Sequence, residues 1–392
     1  MSSPFAGLRV IDFTHVLAGP ACAYYLGLLG AEVIKVESPQ MGDAMRHRGG
    51  TDHASAAQGM STAYLTQGAG KASVALDLTS HKDTEAMRNL LASADVFVEN
   101  HRPDTAKALG LDEVSTRGIN PRLIHCSMTG YGRGGPLENA PAYDVNIQAA
   151  SGIMTLTGTK DTGPVRTGAP IMDYSVALAA GFAISAALYE REKTGQGTFI
   201  DVSMLETAYT LMSSTITDYL ATGNEPKPRG NAANSRSPGA GSFPCKQGIL
   251  SLGVNEEGQF RALALGLGKA NWLEDPRFAQ RGKRREHSAE LEAEIIEALS
   301  HKSADAWEQE LTKLGVPVAK LRSLPESLSH EHTRQRGYLH TDPKTGVRVP
   351  GLPFRVGQPN AHSPSGSIPT LGEDTQNVLA TLKQNFNGGS KP

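Results

Sequence analysis

Cysteine is scarce in this 392-residue chain, with only Cys22, Cys126 and Cys245 present. They are far apart, odd in number, form no CxxC pair and match no metal-ligand spacing. That excludes a disulfide framework and fits a reducing cytoplasm. An excess of one charge is missing too: 38 Lys and Arg face 40 Asp and Glu, a net charge of −2. Such a balance argues against bulk nucleic-acid binding or an anionic membrane surface, and points to small-molecule partners. The first residues, Met1 to Phe5, have none of the basic and apolar character of a signal peptide. A long uncharged run, Tyr174 to Tyr189, is shorter than the roughly 20 residues that span a bilayer, and reads as a buried core helix. The 12 histidines include no HExxH and no His/Cys cluster, there is no GxSxG elbow, and the loop that follows the first strand is not GxGxxG and is followed by no Walker lysine. A metal hydrolase, a serine hydrolase and a specific dinucleotide or triphosphate site are thereby disfavoured. No repeat of fixed period is visible.

What is present is the composition of a globular protein, 39% hydrophobic and 20% charged, in a chain long enough for two domains or three. Short β-branched runs at Leu8–Phe13, Glu32–Glu37, Ser73–Leu78, Asp95–Glu99, Leu123–Ser127 and Thr198–Met204 read as strands. Helical patterns lie between them, such as His81–Ala94 with Met87, Leu90, Leu91 and Ala94 on one face. This predicts an α/β fold with a largely parallel sheet. A helix is expected over Leu205–Thr222, then a Gly, Pro, Asn and Ser-rich linker or working loop over Gly223–Gly241. A smaller domain follows, with a strand at Ile249–Val254 and helices at Gly258–Leu267, His287–Leu299 and Ala304–Leu314. A strand near Val347–Val356 and a last helix at Asp374–Gln384 close the chain. The expected organisation is residues 1–222 as a large domain, 223–325 as linker and small domain, and 326–392 as a return to the large domain.

Three segments can carry chemistry. Asp173 stands at the mouth of the apolar helix, where the first N–H groups and the helix dipole favour an anion, so it is expected to stay ionised while partly shielded from water. The segment alone leaves open a nucleophile and a plain helix N-cap. The first strand ends Asp12-Phe13-Thr14-His15-Val16-Leu17-Ala18-Gly19-Pro20, a strand, small-residue loop and helix start that suits a phosphate or carboxylate but also describes an ordinary βα turn. Lys35, Arg46, Arg48, Lys71, Arg102 and Lys107 punctuate strand ends, where α/β sheets bind ligands, and Lys71 among small residues is the best anion candidate of the set. Arg277, Arg281, Lys283, Arg284 and Arg285 read mainly as a solvated helix approach. Gly239-Ala240-Gly241 lets backbone N–H groups approach a ligand, or is a flexible turn.

Taken in order, these pieces resemble the family III CoA-transferases, the group of formyl-CoA transferase, carnitine CoA-transferase and α-methylacyl-CoA racemase. The resemblance is carried by Leu8 to Pro20; Leu29 to Glu37 with Gly42, Asp43 and Arg46; Lys71 before Leu76-Asp77-Leu78; and Glu99-Asn100-His101-Arg102-Pro103. It continues through Gly130-Tyr131-Gly132, Tyr143-Asp144, Asp173 with Arg191 and Thr194-Gly195-Gln196-Gly197, Asp275-Pro276-Arg277-Phe278, Gly315 to Ala319 and Leu371 to Thr375, essentially the whole chain.

The resemblance implies a Rossmann-like parallel-sheet domain plus a small α+β domain, in an interlinked homodimer. It implies an acyl-CoA:carboxylate CoA-transferase with Asp173 as covalent nucleophile, Tyr143 and Asp144 beside it, and Gly239 to Gly241 as a loop closing over it. His15, Val16, Leu17, Ala18, Lys71, Asn100, His101, Arg102 and Lys107 would line the site of coenzyme A, which is a substrate; no tightly bound cofactor and no metal is implied. Leu17 and Ser38 stand where formyl-CoA transferase has glutamine and arginine, Gly68 and Gly70 where asparagines are common, and the glycine loop is shorter, which weighs against formyl or oxalate specificity. Tyr143 stands where the racemase has the histidine of its His-Asp pair. An acyl-CoA racemase or epimerase using Asp173 as general acid/base is the alternative. Arg229 and Arg236 are candidates to meet the second carboxylate of a dicarboxylic acid such as succinate.

Overall fold

Arg9–Phe13 (β1) is apolar on both faces apart from Arg9 at its start and the buried Asp12, the pattern of a strand covered on both sides. In a computed structural model, which describes residues 3–233, 235, 237–356 and 363–387, β1 is a central strand of a six-stranded parallel sheet. Its neighbours are Glu32–Glu37 (β2), Ala72–Ala75 (β3), Val96–Glu99 (β4), Ile124–Thr129 (β5) and Phe199–Ser203 (β6), in the order β3-β2-β1-β4-β5-β6. Every pairing is parallel, with Asp12 in register with Lys35 and Phe13 with Glu99. The expected parallel α/β class is therefore what forms, from the expected strands. Asn234, Arg236 and residues 357–362 lie outside the described residues.

The chain divides into two units. The first comprises Met1–Ile153, Arg166–Asn224 and Arg334–Pro392, and the second Met154–Val165 and Glu225–Thr333. In the first unit one sheet face packs Val10, Val98, Ile124 and Cys126 against Ala18–Leu28 (α1) and Ile171–Thr194. The other face packs Ile11, Ile34, Val74 and Phe97 against Met87, Leu90 and Leu91 of His81–Ala92 (α2) and Leu382 of the last helix, Thr375–Asn387. Coverage of both faces explains why these strands read as continuous apolar runs.

Between β4 and β6 come Pro103–Ala108 (α3), Asp144–Ala150 (α4) and Ile171–Thr194 (α5). Helix α5 ends on Gly195, whose φ of 72° is the left-handed cap that glycine takes without strain. By length and composition alone α5 could cross a bilayer. Instead Met172, Val176, Ala177, Ala180 and Ile184 are buried in the first unit's core, while Leu178, Phe182 and Tyr189 are exposed. The buried core helix expected from the sequence thus lies in the core by one face and is exposed on the other. The helix expected over 205–222 is two, Met204–Leu211 and Ser213–Thr222, broken at Met212. There the Ser213 hydroxyl donates to the Thr210 carbonyl (2.7 Å), a local bond that competes with the helix.

The second unit is an antiparallel sheet of Ala240–Pro244 (β7), Ile249–Gly253 (β8) and Val318–Lys320 (β9), with β8 in the centre. Helices Glu257–Gly266, Ser288–Leu299 and Ala304–Lys313 pack on a core that includes Leu250, Phe260, Trp272, Ile295 and Trp307. β7 begins in the last two residues of the expected 223–241 linker and continues where no strand was expected. Ala-Gly-Ser-Phe-Pro has little strand propensity of its own, and its ladder with β8 makes the strand.

Candidate active site

β1 and β4 are neighbours, yet the chain leaves β1 for β2 on one side and reaches β4 only after returning across the sheet. Between two such strands the loops at their carboxyl ends diverge and leave a crevice, the usual ligand site of an open α/β sheet. A cleft of about 280 Å³ opens there. His15, Val16, Leu17 and Ala18 after β1, Asn100, His101 and Arg102 after β4, Met128 to Gly130 at the end of β5, and Tyr143, Asp173 and Met204 line it.

The β1 wall is tightly held. Gly19 in the first turn of α1 is obligatory, since a Cβ there would lie 2.4 Å from Thr14 Cβ. Val16 has φ of 72°, alone among the described non-glycine residues in being positive. For a β-branched residue that conformation costs about 1–3 kcal/mol and persists only where its surroundings impose it. The Val16 N–H donates to Asp43 Oδ1 (3.1 Å), the His15 N–H to Asn100 Oδ1 (3.0 Å), and Asn100 Nδ2 returns a bond to the His15 carbonyl (2.8 Å).

Beneath this wall lie four buried charges. Lys71 Nζ donates to Asp12 Oδ2 (2.7 Å) and the Pro20 carbonyl (2.8 Å); Lys35 Nζ donates to the Thr14 carbonyl (2.8 Å) and lies 3.1 Å from Asp43. Burial opposes the charge on Asp12, Lys35 and Lys71. The facing lysines nonetheless bring Asp12 below its ordinary value, and Asp12 and Asp43 bring Lys35 above its own. Lys71, desolvated and repelled by Lys35, ends lower than usual. Lys71 is therefore a buried structural cation rather than a group lining the cleft, because its ammonium is already bonded to Asp12 and Pro20. Arg46, another expected anion candidate, is also buried, paired with Glu37 at 2.7 Å.

The β4 wall rests on Glu99. Burial pushes this carboxyl up, but hydrogen bonding to His101, His125 and Ser127 outweighs it and holds the carboxyl down to about 2. The His101 ring stacks on Phe13 at 4.4 Å and meets His15 edge-on at 5.2 Å. Burial, then His101, lowers the pKa of His15. Arg102 precedes α3, with Pro103 in its first turn, and Lys107 is exposed on the same helix.

Asp173 is the third residue of α5; the N-cap position belongs to Pro170. The cap reading is thereby removed. The helix start is instead held by Asp144, whose Oδ2 accepts the Met172 N–H (2.7 Å) and whose Oδ1 accepts Gln148 Nε2 (2.6 Å). Asp144 is buried, whereas Tyr143 beside it is exposed. Burial of Asp173, then the charge of Asp144, raises the Asp173 carboxyl to about 7. The expectation that the helix start keeps it ionised is corrected accordingly, as desolvation and a like charge outweigh the dipole. A carboxyl poised near neutrality can act as a nucleophile when ionised or exchange a proton.

Gly241 is a strand residue of β7 opposite Leu252, and the Gly239 carbonyl accepts the Val254 N–H (3.2 Å). The glycines are thus tied into the second unit's ladder rather than forming an open loop. Sequence reasoning did not find Met128, Thr129, Glu138, Ala140 to Ala142 or Met204 on the cleft. Gly130 was a usable signal: a Cβ there would lie 2.5 Å from Ala142 Cβ, so only glycine lets the 140–142 segment cross the end of β5.

The profile of CoA-transferase family III matches residues 5–375. The chain belongs to that family. Its relatives include the succinate–glutarate CoA-transferase of Agrobacterium fabrum, 34% identical over 97% of this chain and 96% of the relative. The acetyl-CoA:oxalate CoA-transferase of Acetobacter aceti is 35% identical, over 98% and 96%. The crystal structure of a CaiB/BaiF family protein from Brucella suis superposes with a TM-score of 0.85 at 31% identity, covering 97% of this chain and 100% of that one. This family III CoA-transferase therefore acts on CoA thioesters, and its cleft at the β1/β4 divergence is the candidate site of that chemistry.

Proposed function

We propose that this family III CoA-transferase moves CoA from an acyl-CoA to a free carboxylic acid through covalent intermediates on Asp173. The observation that carries this reading is a carboxyl in the first turn of α5 that faces the same cleft as the β1 and β4 loops and is tuned to about 7. The ionised Asp173 oxygen attacks the thioester carbonyl carbon, the C–S bond breaks, and CoA leaves as thiolate from a mixed anhydride. The thiolate attacks the aspartyl carbonyl carbon, releasing the donor acid and leaving an aspartyl-CoA thioester. The acceptor carboxylate displaces the thiolate in turn, and the thiolate then takes the acceptor acyl group and frees Asp173. Anhydride and thioester are both activated acyl groups, so each step is nearly balanced.

A dicarboxylic acceptor is favoured. The relatives cited above are named for succinate and glutarate or for oxalate, and His15, His101 and Arg102 give the cleft cationic or protonatable groups for a second carboxylate or for CoA phosphates. Of the arginines expected to serve an acceptor, Arg229 belongs to the second unit and Arg236 lies outside the described residues. We further assign a homodimer, supported by the exposed apolar Phe182 (79%) and Leu220 (75%). Buried free thiols at Cys22 and Cys126 support a cytoplasmic setting. The domain limits 1–222, 223–325 and 326–392 remain part of this proposal, with residues 154–165 and 326–333 grouped with the second unit instead.

The Asp173 value also suits a general acid/base, which favours a second reading, an acyl-CoA racemase or epimerase. Incubation in deuterium oxide with a succinyl-CoA donor and glutarate separates the two. The transferase yields glutaryl-CoA without deuterium at the α-carbon; deuterium uptake without CoA exchange contradicts the proposal.

A further inference from the structure

We infer that Asp43 is a positioning residue for CoA transfer: its carboxylate holds the Val16 N–H and so keeps the His15–Ala18 wall of the cleft in its left-handed conformation. The inference rests on the reaction occurring in the cleft that this wall shares with Asp173.

A valine at φ of 72° does not hold that conformation by itself. The backbone on either side of it is fixed by separate groups: Lys35 takes the Thr14 carbonyl, Asn100 the His15 amide and carbonyl, and Lys71 the Pro20 carbonyl. Val16 itself is met by Asp43. Asp43 is in turn a rigid reference. Its N–H donates to Glu37 Oε1 (3.0 Å), its Oδ1 also accepts the Met45 N–H (3.0 Å), its Oδ2 faces Lys35 at 3.1 Å, and Glu37 is clamped by Arg46. A surface turn has no need of four buried charges. A wall whose displacement by about 1 Å would cost on the order of a hundredfold in rate does.

The test compares two double variants. Lys35→Met/Asp43→Leu and Lys35→Met/Asp43→Asn both remove the two charges together, so neither leaves one buried ion without its partner. Only the asparagine keeps an oxygen for the Val16 N–H. Initial rates of CoA transfer, with circular dichroism to confirm folding, give kcat and KM for each. The expected result is a kcat about tenfold or more lower in the leucine variant than in the asparagine variant, with KM for acyl-CoA changed less than about threefold. Equal kcat values in two folded variants would overturn the assignment. Should the leucine variant not fold, Lys35→Met/Asp43→Ala takes its place in the same comparison: a kcat about tenfold or more below that of the asparagine variant supports the assignment, and equal values overturn it. Failure of the covalent reading is distinguishable, because it would show in Asp173→Asn retaining turnover whatever the Asp43 variants do.

Discussion

Replacing the Asp173 carboxyl by its isosteric amide, Asp173→Asn, should stabilise the protein above neutral pH while ending transfer. Burial and the neighbouring Asp144 raise this carboxyl from 3.8 to about 7. Between those values the unfolded chain gives up a proton that the folded chain keeps, so wild-type stability falls as pH rises from about 4 to 7 and is flat beyond. At 1.36 kcal/mol per decade the ceiling is about 4 kcal/mol, and residual access of water to the half-buried group reduces the expectation to about 2 kcal/mol. Loss of a favourable charge near the helix N-terminus opposes this by only about 0.3–1 kcal/mol, so the net effect remains stabilising. Urea unfolding followed by far-ultraviolet circular dichroism is the assay, since Trp272 and Trp307 both belong to the second unit and their fluorescence would miss the first. Asp173→Asn should exceed wild type at pH 8 and match it near pH 4. A variant no more stable at pH 8, or a gap independent of pH, refutes the reasoning.

Asp144→Asn removes the like charge facing Asp173, so the acid limb of kcat/KM against pH should move below about 7; an unmoved limb would show that desolvation alone sets it. Gly19→Ala drives a Cβ into Thr14 and should cost about 1–3 kcal/mol in urea unfolding with loss of transfer activity. Glu99→Gln should cost up to about 3 kcal/mol at pH 7, where the wild-type carboxylate held at about 2 is ionised in both folded and unfolded states and its folded-state bonds are fully realised. That difference should shrink as pH falls from 4.5 towards 2, and unfolding curves at pH 7 and pH 3 would check it.

The parallel sheet was legible because most of its strands, such as Arg9–Phe13, Glu32–Glu37 and Val96–Glu99, carry enough β-branched or aromatic residues to declare themselves without their neighbours. The β7 strand was not, because Ala-Gly-Ser-Phe-Pro is a strand only through its pairing with Ile249–Gly253. The same contrast runs through the site. His15 to Ala18, Asn100 to Arg102, Tyr143 and Asp173 were picked out in sequence and line one cleft. Lys71 was misassigned, since a lysine among glycines looks accessible until Asp12 is seen 2.7 Å away. A signal for that pairing did exist: Asp12 within Arg-Val-Ile-Asp-Phe and Lys35 within Glu-Val-Ile-Lys-Val-Glu are charges inside strands otherwise destined for burial, and buried charges demand partners. The strain at Val16 had no such signal, because a left-handed valine is imposed by hydrogen bonds that sequence does not display.

The most direct test of the account is to trap the intermediate on Asp173. The enzyme would be incubated with succinyl-CoA, quenched with hydroxylamine and digested with trypsin, and the peptide from Thr167 to Arg191 followed by mass spectrometry. An aspartyl hydroxamate at Asp173, formed only in the presence of the thioester and absent from Asp173→Asn, is the predicted result. An unmodified peptide from an enzyme that is turning over would contradict the covalent mechanism.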